Sequence, residues 1–359
     1  MRSKEENIEL IKKLSDANGV SGFEDEVATL CQKEINSYCN CEEDSLRNVY
    51  FSLKSNTGKK PKVWLDAHSD EVGFIVQCLK NNGTMNFLPL GGWSGTTIPS
   101  SKVRVKTNSG KYIPGIVAAK PVHFMNEAER NQELRIDNMV VDVGARSLDE
   151  LKNAFDISLA APIVPDVKCS FDSENELFLG KAFDCRIGCA AMIETLNQCQ
   201  NEDLEVDIVG TFSAQEEVGE RGMEAAVKRM DADIAIVFEG CPADDTFYEE
   251  EAIQSGLKRG PMIRHFDCSM ITNHRFIRHA LDIAKKHSMP VQEAVRSGGG
   301  TNAKFLHTTR NGMPTIVVGV PVRYVHSHHG FVAYQDYLDT IALVKEILMS
   351  LNNELIQSF

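Results

Sequence analysis

An α/β fold interrupted by a β-rich insertion is what this 359-residue sequence predicts, and three observations carry that expectation. Apolar, strand-like runs such as Val63–Leu65, Val206–Phe212, Ile234–Phe238 and Thr315–Val320 alternate with helical stretches, the pattern of a sheet covered by helices. From about Glu71 to Pro165 the texture changes to short β-rich runs separated by glycine turns. After Pro165 the strand–helix alternation resumes. The simplest organisation is a β-rich domain over residues 70–165 inserted into a discontinuous α/β domain made of residues 1–69 and 166–359.

The first element is helical. Ile8, Leu10, Ile11 and Leu14, then Val27, Leu30, Cys31 and Ile35, recur at helical spacing between Lys4 and Tyr38. Asn18–Gly22 reads as the turn between two helices, with Ser15 or Ser21 as a candidate cap. Val49 to His68 reads as two strands around the polar turn Ser55–Lys60. Within the insertion, Val72–Val76, Lys102–Lys106 and Met139–Val143 alternate, and Asn81-Asn82-Gly83 and Asn108-Ser109-Gly110 are hairpin signals. Several hairpins in series predict a small barrel or sandwich.

Bulk composition narrows the function. Hydrophobic content of 42% and charged content of 25% are those of a globular protein. A net charge of -13 argues against nucleic acid, because phosphate binding needs a basic surface. Much of that charge is a solvated surface. Met1–Glu6 leads into an amphipathic helix without the apolar core of a signal peptide, and no apolar run approaches a membrane span. The ten cysteines contain no C-x-x-C pair and read as reduced, mostly buried thiols. These features predict a cytoplasmic protein.

Four strand-like runs stop at a carboxylate or histidine. Val63–Ala67 ends at His68, Val206–Phe212 leads to Glu216 and Glu217, Ile234–Phe238 ends at Glu239, and Thr315–Val320 leads to His326. In open α/β sheets ligands gather beyond the carboxyl ends of the strands, so these distant residues meet there as a two-metal ligand set. Asp70 follows His68 by two residues and is placed to orient its ring. Asp184 opens a helical stretch, where an N-cap and a carboxylate bridging two metals are evenly matched readings. Glu216 and Glu217 repel each other unless a cation offsets them; one suits a metal while its neighbour faces water as general base. Glu239 closes an apolar strand where an unpaired charge is costly. His326, His328 and His329 compete for one ligand role on spacing alone. Ser297–Asn302 is glycine-rich and lacks nucleotide-loop patterns, so it reads as a loop that contacts substrate.

These motifs together resemble the dinuclear metallo-aminopeptidases that include glutamyl aminopeptidase and the tetrahedral TET aminopeptidases, some of which carry an endoglucanase label. The resemblance runs through Gly19–Glu24, Asp66–Phe74, Lys120–His123, Gly180–Cys189, Gln215–Gly219, Ser297–Thr301 and Arg323–Ser327, nearly the whole chain. It implies an α/β/α metallopeptidase domain with an inserted barrel-like domain for oligomerisation and substrate access. It implies one metal on His68, Asp184 and Glu239, a second on Asp184, Glu217 and His326, and Glu216 as base. It also implies a dimer-built homo-oligomer, up to a tetrahedral dodecamer. Zinc fits the His/carboxylate set, as do cobalt and manganese. The chain departs from the family where Glu239 stands for a more usual Asp, Cys185 for Asp or Asn, and Asn302 for Asp. His328-His329-Gly330 replaces an acidic stretch that contains proline.

The expected activity is removal of N-terminal residues from short peptides. An N-acyl amino acid deacylase or deacetylase using the same metals is the alternative. An endoglucanase needs two carboxylates flanking the bond, which adjacent Glu216 and Glu217 do not supply. A non-catalytic scaffold is disfavoured because all five ligand positions hold competent side chains.

Overall fold

The computed structural model describes residues 1–359. At its centre run four parallel strands, β1 (Lys62–His68), β2 (Asp207–Ser213), β3 (Ile234–Pro242) and β4 (Thr315–Val322), in the spatial order β2-β1-β3-β4. Five further strands extend the sheet to nine, with Val49–Leu53 antiparallel to β2 and Met262–Asp267 antiparallel to β4. Val49–Leu53 and Lys62–His68 are both strands, as read from the sequence, but β2 lies between them.

The central strands are apolar on both faces because helices cover both. Leu65, Ile236, Phe238 and Val318 face the helices Lys4–Asp16, Phe183–Cys199 and Tyr334–Ser350. Trp64, Val237 and Val317 face the short helices Arg221–Ala226 and Ala303–Leu306. Phe183–Cys199 is buried nearly all round, so its sequence lacks a polar stripe. Each fully buried Leu, Ile or Met there contributes roughly 1.5–3 kcal/mol.

Residues 73–165 carry a closed antiparallel barrel, in the order Gly73–Leu79, Thr84–Leu90, Val140–Asp142, Tyr112–Ala118, Lys102–Lys106 and Pro162–Pro165. It has its own apolar core of Phe74, Met85, Val103, Val141 and Ile163 among others. Closure removes the exposed edges an open sandwich would leave.

Two local readings change. Ser3, rather than Ser15 or Ser21, makes a capping box at the first helix. Ser15 Oγ donates to the Lys181 carbonyl at 2.7 Å, and Ser21 Oγ donates to Asp70 Oδ2 at 2.6 Å. Both serines therefore tie the N-terminal helices to the region beyond β1.

A buried ion network underlies that region. Lys181 Nζ lies 2.6 Å from both Glu71 oxygens and donates to the Ala17 carbonyl at 3.0 Å. Arg186 donates to the carbonyls of Ser69, Leu14 and Gly19 at 2.7, 2.8 and 3.1 Å. Burial, opposed by Glu71, lowers Lys181 to about 8. No helix is long and apolar enough to cross a membrane. All ten cysteines are free, and only Cys78 and Cys268 are exposed.

Candidate metal centre

The carboxyl ends of the four parallel strands converge on one cavity of about 480 Å³. His68 is the last residue of β1. Glu216 and Glu217 follow β2 through Gln215, whose φ of 55° turns the chain sharply. Glu239 lies inside β3, which continues to Pro242 rather than stopping at the carboxylate as the sequence suggested. His326 sits beyond β4 in a loop where Tyr324 and His326 themselves have φ of 65° and 54°.

Asp184 does not cap the helix. Its backbone is non-helical, with φ -81° and ψ 107°, the peptide bond to Cys185 is cis, and Ala182 occupies the N-cap position. Its side chain faces two histidines instead of helix amides. Oδ1 lies 3.0 Å from His68 Nε2, and Oδ2 lies 3.4 Å from His326 Nε2. Glu239 Oε2 is 3.7 Å from His68 Nε2, and Glu217 Oε2 is 3.1 Å from His326 Nε2. All five sequence-predicted ligand positions are thus together, in two groups that share Asp184. His328 and His329 stand apart; His328 Nε2 contacts the Lys102 carbonyl at 2.5 Å, on the barrel.

Asp70 lies behind the cluster. Its Oδ1 is 3.3 Å from His68 Nδ1, an ion-pair distance without hydrogen-bond alignment. Asp70 also accepts the backbone N–H groups of Glu216 and Glu217 at 2.9 and 3.1 Å. Burial opposes its ionisation, yet the His68 contact and the Ser21 and Glu216 hydrogen bonds hold it below the usual Asp range. One carboxylate therefore contacts both the His68 ring and the Glu216–Glu217 backbone.

The residues suit divalent cations. Burial drives Glu216 well above the usual range, and Glu239, Glu217 and Asp70 add repulsion against the pull of His68. Burial raises Glu239 to about 8 and lifts Glu217 as well. Burial works against both histidines, yet the surrounding anions raise His68 and carry His326 to about 11. Packed carboxylates that repel one another and hold histidines protonated are what bound cations relieve. Glu217 Oε1 is buried with no protein hydrogen-bond partner, a second sign that these residues suit a positive charge.

Sequence reasoning missed several neighbours of the site. Gly91 and Gly92, from the barrel, approach Glu217 and His326: a Cβ on Gly92 would lie 3.1 Å from His326 Nδ1, and one on Gly91 3.2 Å from Glu217 Oε2. Glu24, pushed to about 8 by burial and then by Asp70, accepts the Gln215 N–H at 3.1 Å. Arg264 and Arg296 line the cavity, each with a buried Nε lacking a partner. Their carboxylate partners Asp267 and Asp244, at 3.1 and 2.6 Å, do not line it. The run of glycines gave the signal for the 298–301 loop, which does line the cavity. The arginines gave none, because a lone Arg in a strand, as Arg264 is, or just after one, as Arg296 is, reads as surface. Asn302, beyond that loop, donates to Asp66 at 2.8 Å and to Ser213 at 2.7 Å.

Comparison with known proteins agrees with this geometry. The family described as M42 glutamyl aminopeptidase matches residues 48–343. The chain is 30% identical to the putative aminopeptidase FrvX of Escherichia coli (strain K12), covering 98% of each chain. It is 31% identical to the lysyl aminopeptidase of Pyrococcus furiosus, covering 96% of this chain and 97% of that one. The crystal structure of a TET aminopeptidase from the marine sediment archaeon Thaumarchaeota archaeon SCGC AB-539-E09 superposes with a TM-score of 0.94 at 33% identity, covering 98% of this chain and 99% of that one.

Proposed function

This chain belongs to the M42 glutamyl aminopeptidase family and is a metal-dependent aminopeptidase, and on that premise we propose that it acts with two divalent cations on the N-terminal residue of short peptides. The observation that carries the proposal is Asp184, which turns one oxygen to each of two histidine–carboxylate groups in one cavity. His68, Asp184 and Glu239 would hold one cation, and Asp184, Glu217 and His326 the other. Zinc suits the mixed nitrogen and oxygen donors, with cobalt or manganese also competent. When bound, such cations supply Lewis acidity, polarising a carbonyl oxygen and acidifying water.

Glu216 then does the proton work. Its carboxylate lines the cavity, 4.0 Å from His68 Nε2, while Asp70 fixes its backbone. It would accept a proton from the water attacking the scissile carbonyl and return it to the leaving amine. Asp70 would orient the His68 ring. The cationic wall of Arg264 and Arg296 suits an N-terminal side chain that accepts hydrogen bonds, an acidic one foremost.

The barrel would serve oligomerisation and access, and its exposed Val122 and Phe124 support a homo-oligomeric assembly. Ten free thiols suit a cytoplasmic setting. The test is hydrolysis of aminoacyl chromogenic substrates by metal-supplemented and chelator-stripped enzyme, with N-acylated controls. Metal-dependent cleavage of free-amine substrates alone is expected. Cleavage of the N-acyl controls in their place would make the protein a deacylase.

A further inference from the structure

We propose that Cys185 is a fourth protein donor at the buried cation position, which makes the two positions unequal: one closed by protein, the other open to the cavity. The inference rests on the two-cation reading above. One ligating atom from each of His68, Asp184, Cys185 and Glu239 lies within 4.8 Å of all the others. Zinc bonds of ~2.0–2.3 Å bring any two donors of one ion within about twice that length, a span these four atoms already approach. Cys185 is fully buried, and its sulfur is held on the underside of β3, 3.2 Å from the Phe238 carbonyl. Gly188 makes room for it: a Cβ there would lie 2.4 Å from the sulfur.

The second group differs in number and in exposure. Only Asp184, Glu217 and His326 converge there, and His326, whose side chain is 37% exposed, opens that group to the cavity, whereas the His68 and Glu239 side chains are 1% and 6% exposed. Four-donor closed sites hold a metal structurally, whereas three-donor sites keep a position for water or substrate. A cation on the first group would therefore be saturated and set the field and the Asp184 orientation. The second position alone would be free for the peptide. A thiolate also biases the first position toward zinc over manganese. On binding, the S–H bond breaks, a metal–sulfur bond forms and the proton leaves to solvent.

The experiment is an anaerobic titration of the full-length apoprotein with cobalt(II), followed by absorbance and metal content. A near-ultraviolet sulfur-to-cobalt charge-transfer band is expected to grow with the first equivalent and to stop before the second. Cys185→Ser should lose the band and weaken the first equivalent at least about tenfold. Cys185→Asp, which restores an anionic donor, should bind two ions with no band and guards against a folding defect in the serine variant. A wild-type protein that binds two ions without the band, or a Cys185→Ser protein that keeps it, would overturn the inference. An apoprotein that takes up no cobalt would overturn the two-cation reading, and this inference with it.

Discussion

The two halves of the cluster are built differently. His68 and Glu239 belong to central strands, His68 paired with Ser213 of β2 and Glu239 with Gly319 of β4. Glu217 and His326 stand on loops entered through left-handed residues, and they lean on a glycine turn from the barrel. Strand-borne ligands are positioned by the core; loop-borne ligands are positioned by whatever touches the loop. Asp184 joins the two, and Asp70 reaches both through the His68 ring and the Glu216–Glu217 amides.

The sharpest way to break this comparison is to remove the shared residue. Asp184→Ala should abolish both cation positions together and reduce activity to background, with metal content read by elemental analysis. His326→Ala should empty only the open position. If Asp184→Ala still held a full complement of metal, the sharing would be wrong.

Next in size is Glu216→Gln. It removes the proposed proton acceptor but keeps the shape, so kcat should fall ~10²–10⁴-fold with metal content unchanged. An unaltered kcat would reassign the base.

The scaffold beneath the strand-borne half can be tested apart from the chemistry. Lys181→Met leaves the fully buried Glu71 carboxylate with only the Gly19 N–H at 3.2 Å and Arg186 at 3.4 Å, and removal of one partner from a buried pair typically costs ~3–5 kcal/mol. Urea denaturation should register that loss. Arg264→Met probes the cavity wall: a lost charged hydrogen bond of ~1.5–3 kcal/mol should cut kcat/KM for glutamyl substrates about tenfold or more, with leucyl substrates spared. Equal losses on both would mean that Arg264 acts on the fold rather than on the side chain of the substrate.

The same contrast explains what was legible in the sequence. Apolar runs ending in His68 and Glu239 announce themselves because a strand buried on both faces tolerates a polar residue only for a reason. Paired Glu216 and Glu217 also stood out, since adjacent carboxylates after a buried strand need a counter-charge. Asp184 was ambiguous because an aspartate before a helix is ordinarily a cap; only the fold shows that its backbone has not yet become helical. Among His326, His328 and His329 the spacing offered no choice, and resemblance alone selected His326. A positive φ at Tyr324 and His326 decides which ring turns inward, and nothing in a run of histidines encodes that. The contribution of Gly91 and Gly92 depended on where the inserted barrel docks, a long-range fact with no local signature. The order of strands was hidden for the same reason: β2 enters between Val49–Leu53 and β1 from more than a hundred residues away.

The smallest expected effect probes that docking most directly. Gly92 has no left-handed backbone to strain, so Gly92→Ala tests contact alone. The new methyl would sit 3.7 Å from His326 Cε1, an ordinary van der Waals contact, but 3.1 Å from Nδ1, which is tighter than one. Either the ring or the barrel turn must give by a few tenths of an ångström. Because misplacement of about 1 Å can cost ~10²-fold in rate, a shift of that fraction should lower kcat several-fold while thermal stability stays within about 1 kcal/mol of the parent. The buried position should keep its metal affinity, since no atom of Gly92 reaches His68 or Glu239. A loss confined to the open position would show that the barrel tunes the loop-borne half; a variant indistinguishable from the parent would show that the loop holds His326 unaided.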